Sequence, residues 1–212
     1  MSPLVIAEHN KKLFWPDDLD EPGQSYQKLA NIKDDGGDEY EVILEDDGGE
    51  MARLYLRHIK TNSVAANYLL EFGLTPPDDL PGRIPQVTSV FVDVEYRQVH
   101  LSQHVYRLIM SHYGVVLSDT HQTSGGMVIW LQMAEDDAVQ INVMQVRGSH
   151  LEYRLIDGQP EAYIGDIENL ELAGGTIWGD PNQVISQKIL QQIGFVPAYT
   201  DKSNIALAAR PV

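Results

Sequence analysis

The 212-residue chain has no cysteine, which excludes disulfide bonds, thiolate nucleophiles and cysteine-ligated metals. It also has no uncharged apolar run long enough to span a bilayer. Residues 1–10 do not show a basic segment followed by an apolar one, which is the pattern of a secretory signal. We therefore expect a cytoplasmic protein that does not associate with membranes.

Positive charge is scarce, with 15 Lys and Arg against 31 Asp and Glu, for a formal net charge of −16. Contacts with phosphates need clustered basic residues, so this balance disfavours direct binding to nucleic acids or to an anionic membrane surface. The acidic residues are concentrated in the first quarter of the chain: Asp17, Asp18, Asp20, Glu21, Asp34, Asp35, Asp38, Glu39, Glu41, Glu45, Asp46, Asp47 and Glu50. Such a region is usually a solvated face. The alternative is a surface that binds a basic partner.

Several catalytic motifs are also missing. The glycine pairs at 125–126 and 174–175 are not followed by Lys-Ser/Thr, which excludes a P-loop, and no Gly-x-Ser-x-Gly elbow occurs. His100 and His104 are four residues apart, but Leu101 stands where a zinc protease would have glutamate. The sequence therefore predicts no metal site.

The most informative segment is 87–132, whose pattern predicts a strand, a turn, a helix, a second strand, a turn and a second helix. Residues 90–94 form an apolar strand, residues 95–98 interrupt it, and apolar residues then recur at helical spacing from Leu101. Backbone N–H groups at the start of a helix that follows a strand are well placed to bind a phosphate.

This segment resembles the acyl-coenzyme A-binding core of the GNAT superfamily of N-acetyltransferases. In that family a strand ending in Val-x-x-x-Tyr-Arg runs into a Gln/Arg-x-x-Gly-x-Gly/Ala loop that opens a helix. The corresponding residues here are Val92 to Arg97, followed by Gln98, Val99, His100, Leu101 and Ser102. His100 and Ser102 occupy the two loop positions that are small in the family, so His100 is expected to crowd the pyrophosphate.

A second part of the resemblance lies downstream. Residues 118–130 read Ser-Asp-Thr-His-Gln-Thr-Ser-Gly-Gly-Met-Val-Ile-Trp. This is similar to a Ser-Asp…Gln-Thr…Gly…Trp pattern of divergent GNAT-like proteins of tailed bacteriophages. The resemblance implies an α/β (α+β) fold with a central mixed, splayed β-sheet flanked by helices. It implies one domain over 1–212, with the cofactor-binding core at about 87–146 and a C-terminal elaboration at about 147–212.

The resemblance also implies a function, the transfer of an acetyl group from acetyl-CoA to an amine that the sequence does not identify. Backbone groups of Val92 and Val94 would pair with the pantetheine arm of acetyl-CoA. The other implied cofactor-binding residues are Arg97, Gln98, Val99, His100, Leu101, Ser102 and Ser124.

The same transfer needs a base that removes a proton from the amine and a group that donates a proton to the leaving sulfur. Asp93 and Glu95 lie on or just after the motif strand and are the candidate bases, although their alternation with valines also fits the solvent side of a strand end. Ser118 is a candidate donor to the sulfur.

An alternative function remains open. The chain would then be a catalytically impaired GNAT-fold protein, encoded by a phage, that acts in the host cytoplasm by binding a host protein through its acidic surface.

The rest of the chain gives local predictions. They are a hairpin of strands 40–44 and 51–58, a helix over Asn62–Phe72 closed by Gly73, a loop at 75–82, a strand at 139–146, a turn at 157–160, a helix that begins at Asp180-Pro181 and ends at Gly194, and a last strand at 205–209.

Overall fold

The computed structural model describes residues 16, 25–96, 101–120, 122–165, 177, 195–196 and 204–212. Their main feature is a nine-stranded β-sheet. The strands of the described residues are β1 (Tyr26–Lys33), β2 (Glu39–Glu45), β3 (Met51–His58), β4 (Ser63–Glu71), β5 (Gln86–Val92), β6 (Val116–Ser118), β7 (Gln122–Thr123), β8 (Val139–Arg147), β9 (His150–Tyr153), β10 (Leu155–Ile156), β11 (Gln159–Pro160), β12 (Phe195–Val196) and β13 (Ile205–Pro211). The helices are α1 (Leu101–Tyr113), α2 (Ser124–Ala134) and a short 3-10 turn (Val94–Tyr96).

The order of strands across the sheet is β1-β2-β3-β4-β5-β6-β13-β8-β9. Every neighbouring pair is antiparallel except β5 and β6, which are parallel. Two small two-stranded sheets, β10 with β11 and β12 with β7, lie outside it. The described part of the chain is thus a mixed α+β fold with a large, mostly antiparallel sheet. This confirms the fold prediction at that level.

The first five strands follow one another as antiparallel neighbours, which needs only short connections. The predicted hairpin of β2 and β3 is confirmed, with Tyr40 paired with His58 and Glu45 paired with Arg53. Its turn contains Gly48, whose φ of 82° lies in the left-handed region that glycine adopts at no steric cost.

The prediction of a helix over Asn62–Phe72 is wrong, because this segment is β4. Its apolar residues imitate helical spacing, but β4 lies in the sheet between β3 and β5, and from Ala66 to Glu71 its residues alternate between buried and half-buried positions. The apolar Leu69 on the half-buried face and Ala65, an extra residue of β4 opposite β3, disturb the alternation that would have marked a strand.

The second half of the sheet is built around a parallel crossover. The chain leaves β5, runs through α1 and returns as β6, and Gly114 ends α1 with a φ of 81°. Helix α2 then leads to β8, and β13 fits between β6 and β8. The predicted strands at 139–146 and 205–209 and the predicted start of α1 are confirmed. The helix predicted over residues 180–194 lies outside the described residues.

The two faces of the sheet are covered differently. Both helices pack on one face, where Tyr106, Ile109 and Trp130 join the main core. On the other face of the second half, Leu80 and Ile84 of the β4–β5 connection pack against β6, β8 and β13. None of the described helices has the length and apolar character needed to cross a membrane.

Candidate functional site

The distinctive feature of the sheet is the point at which β5 and β6 separate. The two strands pair only at Gln86 with Leu117 and at Val87 with Ser118. Strand β5 continues to Val92, still paired with β4, whereas β6 ends at Ser118. Among the described residues, no strand pairs with the second half of β5 on this side, so a gap opens there, and α1, which connects the two strands, begins at the open end of this gap. We call the paired end the closed end.

A β-bulge lies at the closed end. Leu69 of β4 pairs with Ser89 and Leu70 pairs with Val87, so Thr88 is an extra residue in β5. Thr88 is buried, and its hydroxyl donates a hydrogen bond to Glu71 Oε1 at 3.2 Å.

The backbone of β5 has polar groups directed into the gap. The Asp93 N–H donates to the Ala65 carbonyl, which fixes the alternation of hydrogen bonds between β4 and β5. In an antiparallel pair, the backbone N–H and C=O groups of one residue point towards the partner strand, and those of the next residue point away from it. The N–H and C=O of Val90 therefore point away from β4 and towards the gap.

Ser118 closes the apex of the gap and is fully buried. Its hydroxyl donates to the Asp119 carbonyl at 2.9 Å and accepts from the Leu207 N–H at 2.8 Å. The side chain of Gln86 donates to the Ser118 carbonyl at 3.0 Å. The structure thus uses the Ser118 hydroxyl to join β6 to β13, so its proton is already donated to a carbonyl. It does not bring Ser118 together with Asp93 or Glu95.

The space below α1 contains two buried tyrosines. Tyr68 of β4 and Ser102 at the start of α1 form a hydrogen bond of 3.0 Å between their hydroxyls. Burial raises the pKa of Tyr68 to about 12. Burial also raises the pKa of Tyr106, and the neighbouring Tyr68 and Asp119 raise it further. Both phenols therefore stay protonated at neutral pH.

The predicted cofactor-binding residues at the start of α1 are partly described. Leu101 is buried in the core, so it offers the site only its backbone. The hydroxyl of Ser102 already bonds to Tyr68. Arg97, Gln98, Val99 and His100 lie outside the described residues, as does the side chain of Ser124. Another basic residue of the helix, Arg107, is paired with Asp136 at 2.8 Å.

The predicted catalytic carboxylates lie at the open end of the gap. Strand β5 ends at Val92, so Asp93, Val94 and Glu95 follow the strand and do not extend it to Val94 as the sequence predicted. The Asp93 carboxylate accepts a hydrogen bond from the Glu95 N–H and caps the 3-10 turn. Glu95 is exposed, and Val94 is 69% exposed. Val92 packs against the main core.

Tyr96 joins this turn to the β3–β4 hairpin. Its hydroxyl lies 2.8 Å from Ser63 Oγ and 3.2 Å from Thr61 Oγ1. Nδ1 of the buried His58 lies 2.7 Å from Thr61 Oγ1, and the His58 and Tyr96 rings are in contact. These contacts fix the end of the segment that leads towards residues 97–100.

The acidic segment does not form one continuous surface. Asp35, Asp38 and Glu39 are exposed in and beside the β1–β2 turn, and Asp47 and Glu50 are exposed in the β2–β3 turn at the opposite end of β2. Strand β2 has seven residues, which separates the two turns by roughly 20 Å.

Other acidic residues of this segment are used inside the fold. Glu41 forms ion pairs with Lys28 and Arg57, both at 2.7 Å. Asp46 accepts two hydrogen bonds from Arg83, at 2.7 and 2.8 Å, and one from the Tyr113 hydroxyl at 2.6 Å. Part of the negative charge therefore stabilises the sheet.

Sequence reasoning missed Glu71 and Thr88 at the closed end. Glu71 was placed at the end of a predicted helix, and Thr88 was not singled out. One signal was present, because Thr88 and Ser89 interrupt an otherwise apolar strand with two hydroxyl residues. Among the described residues, no group of three or more His, Asp or Glu side chains is arranged to hold a metal ion.

Comparisons of the chain with protein-family models, with curated proteins and with solved structures found no match.

Proposed function

We propose that the protein is an acyl-CoA-dependent N-acetyltransferase of the GNAT type, which transfers an acetyl group from acetyl-CoA to an amine. The observation that carries this proposal is the separation of β5 and β6 after two residue pairs, directly beside their crossover helix. In the GNAT fold, this separation leaves backbone groups free to pair with the amides of pantetheine.

The arrangement of the whole sheet supports the same proposal. The antiparallel strands β1 to β5 are followed by the parallel pair of β5 and β6, and β13 lies between β6 and β8. The crossover helix between the parallel strands begins at the open end of the gap, where its N-terminal N–H groups favour an anion.

The residues at the gap fit acetyl-CoA through backbone groups more than through charged side chains. Val90 directs an N–H and a C=O into the gap, as derived above, and Leu101 and Ser102 offer backbone N–H groups at the helix start. Arg97, Gln98, Val99, His100 and Ser124 complete the site by their positions in the motif, and Val92 and Val94 flank it. Backbone recognition also explains how so acidic a protein would accommodate an anionic co-substrate.

A second candidate function is the binding of a host protein by a phage-encoded protein of this fold. One observation favours it, because Asp35 and Asp38 are exposed together in the β1–β2 turn and form a small acidic surface. The division of the acidic segment between two ends of β2 limits that surface to one turn.

The proposal is tested by titrating the protein with acetyl-CoA in a calorimeter. We expect binding, and we expect Arg97→Ala to weaken it by about 1–2 kcal/mol, the value of a charge-assisted hydrogen bond. Val90→Pro removes the N–H that points into the gap without removing a hydrogen bond to β4, so it should weaken binding further.

Asp137→Asn, which changes an exposed carboxylate after α2, is the control and should bind as the unchanged protein does. Circular dichroism reports whether each variant folds. If the unchanged protein does not bind acetyl-CoA at micromolar to millimolar concentrations, the proposed function is wrong.

A further inference from the structure

The position of the reacting centre along β5 decides which carboxylate is able to act as the base. Under the proposed function, the phosphates of the co-substrate lie at the open end of the gap, where α1 begins, and the pantetheine arm extends along β5. The thioester then lies towards the closed end. Asp93 is five residues from Thr88, or about 17 Å along the strand, so Asp93 and Glu95 are at the wrong end.

Two carboxylates lie at the closed end. Asp119 follows Ser118 directly, but it is buried, and its carbonyl is held by the side chains of Ser118 and Gln122. Glu71 is only half-buried, so an amine is able to reach it from solvent. This difference in access favours Glu71.

Glu71 also lies on the correct face of the sheet. Tyr68 and Leu70 of β4 pack into the core below the helices, so Glu71, the next residue in the alternation, points to the opposite face. Its cross-strand partner Met51 is 60% exposed on that face. An amine that approaches from the face without helices meets Glu71 beside the closed end of the gap.

The bulge in β5 supplies the contact that fixes the carboxylate. Thr88 is the extra residue of β5, and its hydroxyl donates to Glu71 Oε1 at 3.2 Å. A hydrogen bond to one carboxylate oxygen restricts the rotamers of the side chain and leaves the other oxygen, Oε2, for a second partner.

We propose that Glu71 is the general base of the transfer and that Thr88 is its positioning residue. This inference rests on the proposed function. Glu71 Oε2 takes one proton from the ammonium form of the acceptor, the free amine nitrogen forms a bond to the acetyl carbon, the carbon–sulfur bond breaks, and the second nitrogen proton passes through water to the departing sulfur. Glu71 returns its proton to solvent on the open face.

The test compares two acceptor amines at neutral pH. A primary alkylamine as basic as lysine, with a pKa of about 10.4, must lose a proton to react, whereas hydroxylamine is already unprotonated. Glu71→Gln should lower kcat with the alkylamine by about 10²–10⁴-fold, the usual contribution of a general base. Transfer to hydroxylamine should fall by less than about threefold, and transfer to the alkylamine should recover as the pH rises.

Glu50→Gln is the matched control, because it removes the same charge from the turn next to Met51 and leaves the Thr88 contact intact. It should transfer to both amines as the unchanged protein does. Equal losses with both amines in Glu71→Gln, or no loss with either, would overturn the assignment while the proposed function stands. Absence of transfer by the unchanged protein to either amine would overturn both.

Thr88 is tested by a pair of variants. Thr88→Val keeps the shape and removes the hydroxyl, so it should lower kcat for the alkylamine about tenfold with an unchanged KM for acetyl-CoA. Thr88→Ser restores the hydroxyl and should restore kcat. If Thr88→Ser is as slow as Thr88→Val, the hydroxyl does not position Glu71.

Discussion

Ser118 illustrates how a single hydroxyl acquires a role that its sequence context does not reveal. Its motif suggested a donor to a reacting sulfur. In the structure it is fully buried and joins two strands whose hydrogen-bonded groups are 89 positions apart in the chain. The hydroxyl is therefore a structural group at the apex of the gap.

Ser118→Ala should destabilise the protein by about 1–3 kcal/mol, because the buried Leu207 N–H would lose its acceptor. The measurement is urea denaturation followed by circular dichroism. Ser149→Ala, which also removes a serine hydroxyl but at an exposed turn position, is the control and should cost less. Equal stability of Ser118→Ala and the unchanged protein would show that the Leu207 contact contributes nothing.

Asp46 gives the fold a dependence on pH. Burial alone would raise the pKa of Asp46, but the hydrogen bonds from Arg83 and Tyr113 outweigh it and lower the pKa from 3.8 to about 2. Arg83 also stacks 3.5 Å over the ring of Phe72. The contacts of Arg83 with Asp46 and with Phe72 hold the β2–β3 turn against the β4–β5 connection.

Because the pKa of Asp46 is lower in the folded than in the unfolded state, its contribution to stability is complete above about pH 4 and is lost as the pH falls to about 2. Asp46→Asn should be less stable than the unchanged protein at pH 7, and the difference should shrink between pH 4 and pH 2. Urea midpoints measured across this range check the prediction. A difference that stays constant with pH would contradict it.

At the scale of elements, the sequence predicted what local pattern controls. The β2–β3 hairpin, the crossover helix α1 and strands β8 and β13 follow from alternation, helical spacing and turn residues. Strand β4 was missed because Leu69 places an apolar residue on its half-buried face and the extra residue Ala65 shifts its alternation.

The candidate site was only partly predictable for a related reason. The gap depends on where β5 stops pairing with β6, and the placement of Glu71 depends on an extra residue in β5. Both are set by pairing between segments distant in the chain, which no local pattern records. The sequence directed attention to the start of α1 and to Ser118, and it gave no functional prediction for Glu71 or Thr88.

Strand β13 is the element on which the second half of the sheet depends, because it pairs with β6 on one side and with β8 on the other. Removal of residues 205–212 should prevent folding of that half, since both neighbours would lose their hydrogen-bonded partner inside the sheet. Thermal unfolding and solubility measure the effect. A truncated chain that keeps a cooperative transition at the original temperature would contradict this expectation.

At the scale of the whole molecule, the excess of negative charge has two parts. The carboxylates of Glu41 and Asp46 are paired inside the fold, whereas those of Asp35 and Asp47 face solvent at opposite ends of β2. The second group contributes negative charge at the surface of the protein.

Replacing two other exposed carboxylates, with Glu50→Gln and Asp137→Asn together, should leave the free energy of unfolding unchanged or raise it by less than about 0.5 kcal/mol, because a net charge of −16 repels itself. Any gain should disappear in 1 M salt, where the Debye length is about 3 Å. Urea denaturation at low and high salt checks both points. A loss of more than about 1 kcal/mol would show that these side chains have structural contacts.

The place of β13 in the sheet also sets the order in which the protein matures during synthesis. Strands β1 to β5 pair with their immediate predecessors, so they are able to associate while the ribosome is still translating the middle of the chain. The three-residue β6 is held by a strand that is made almost ninety residues later. The apex of the gap is therefore completed only after β13 has emerged from the ribosome.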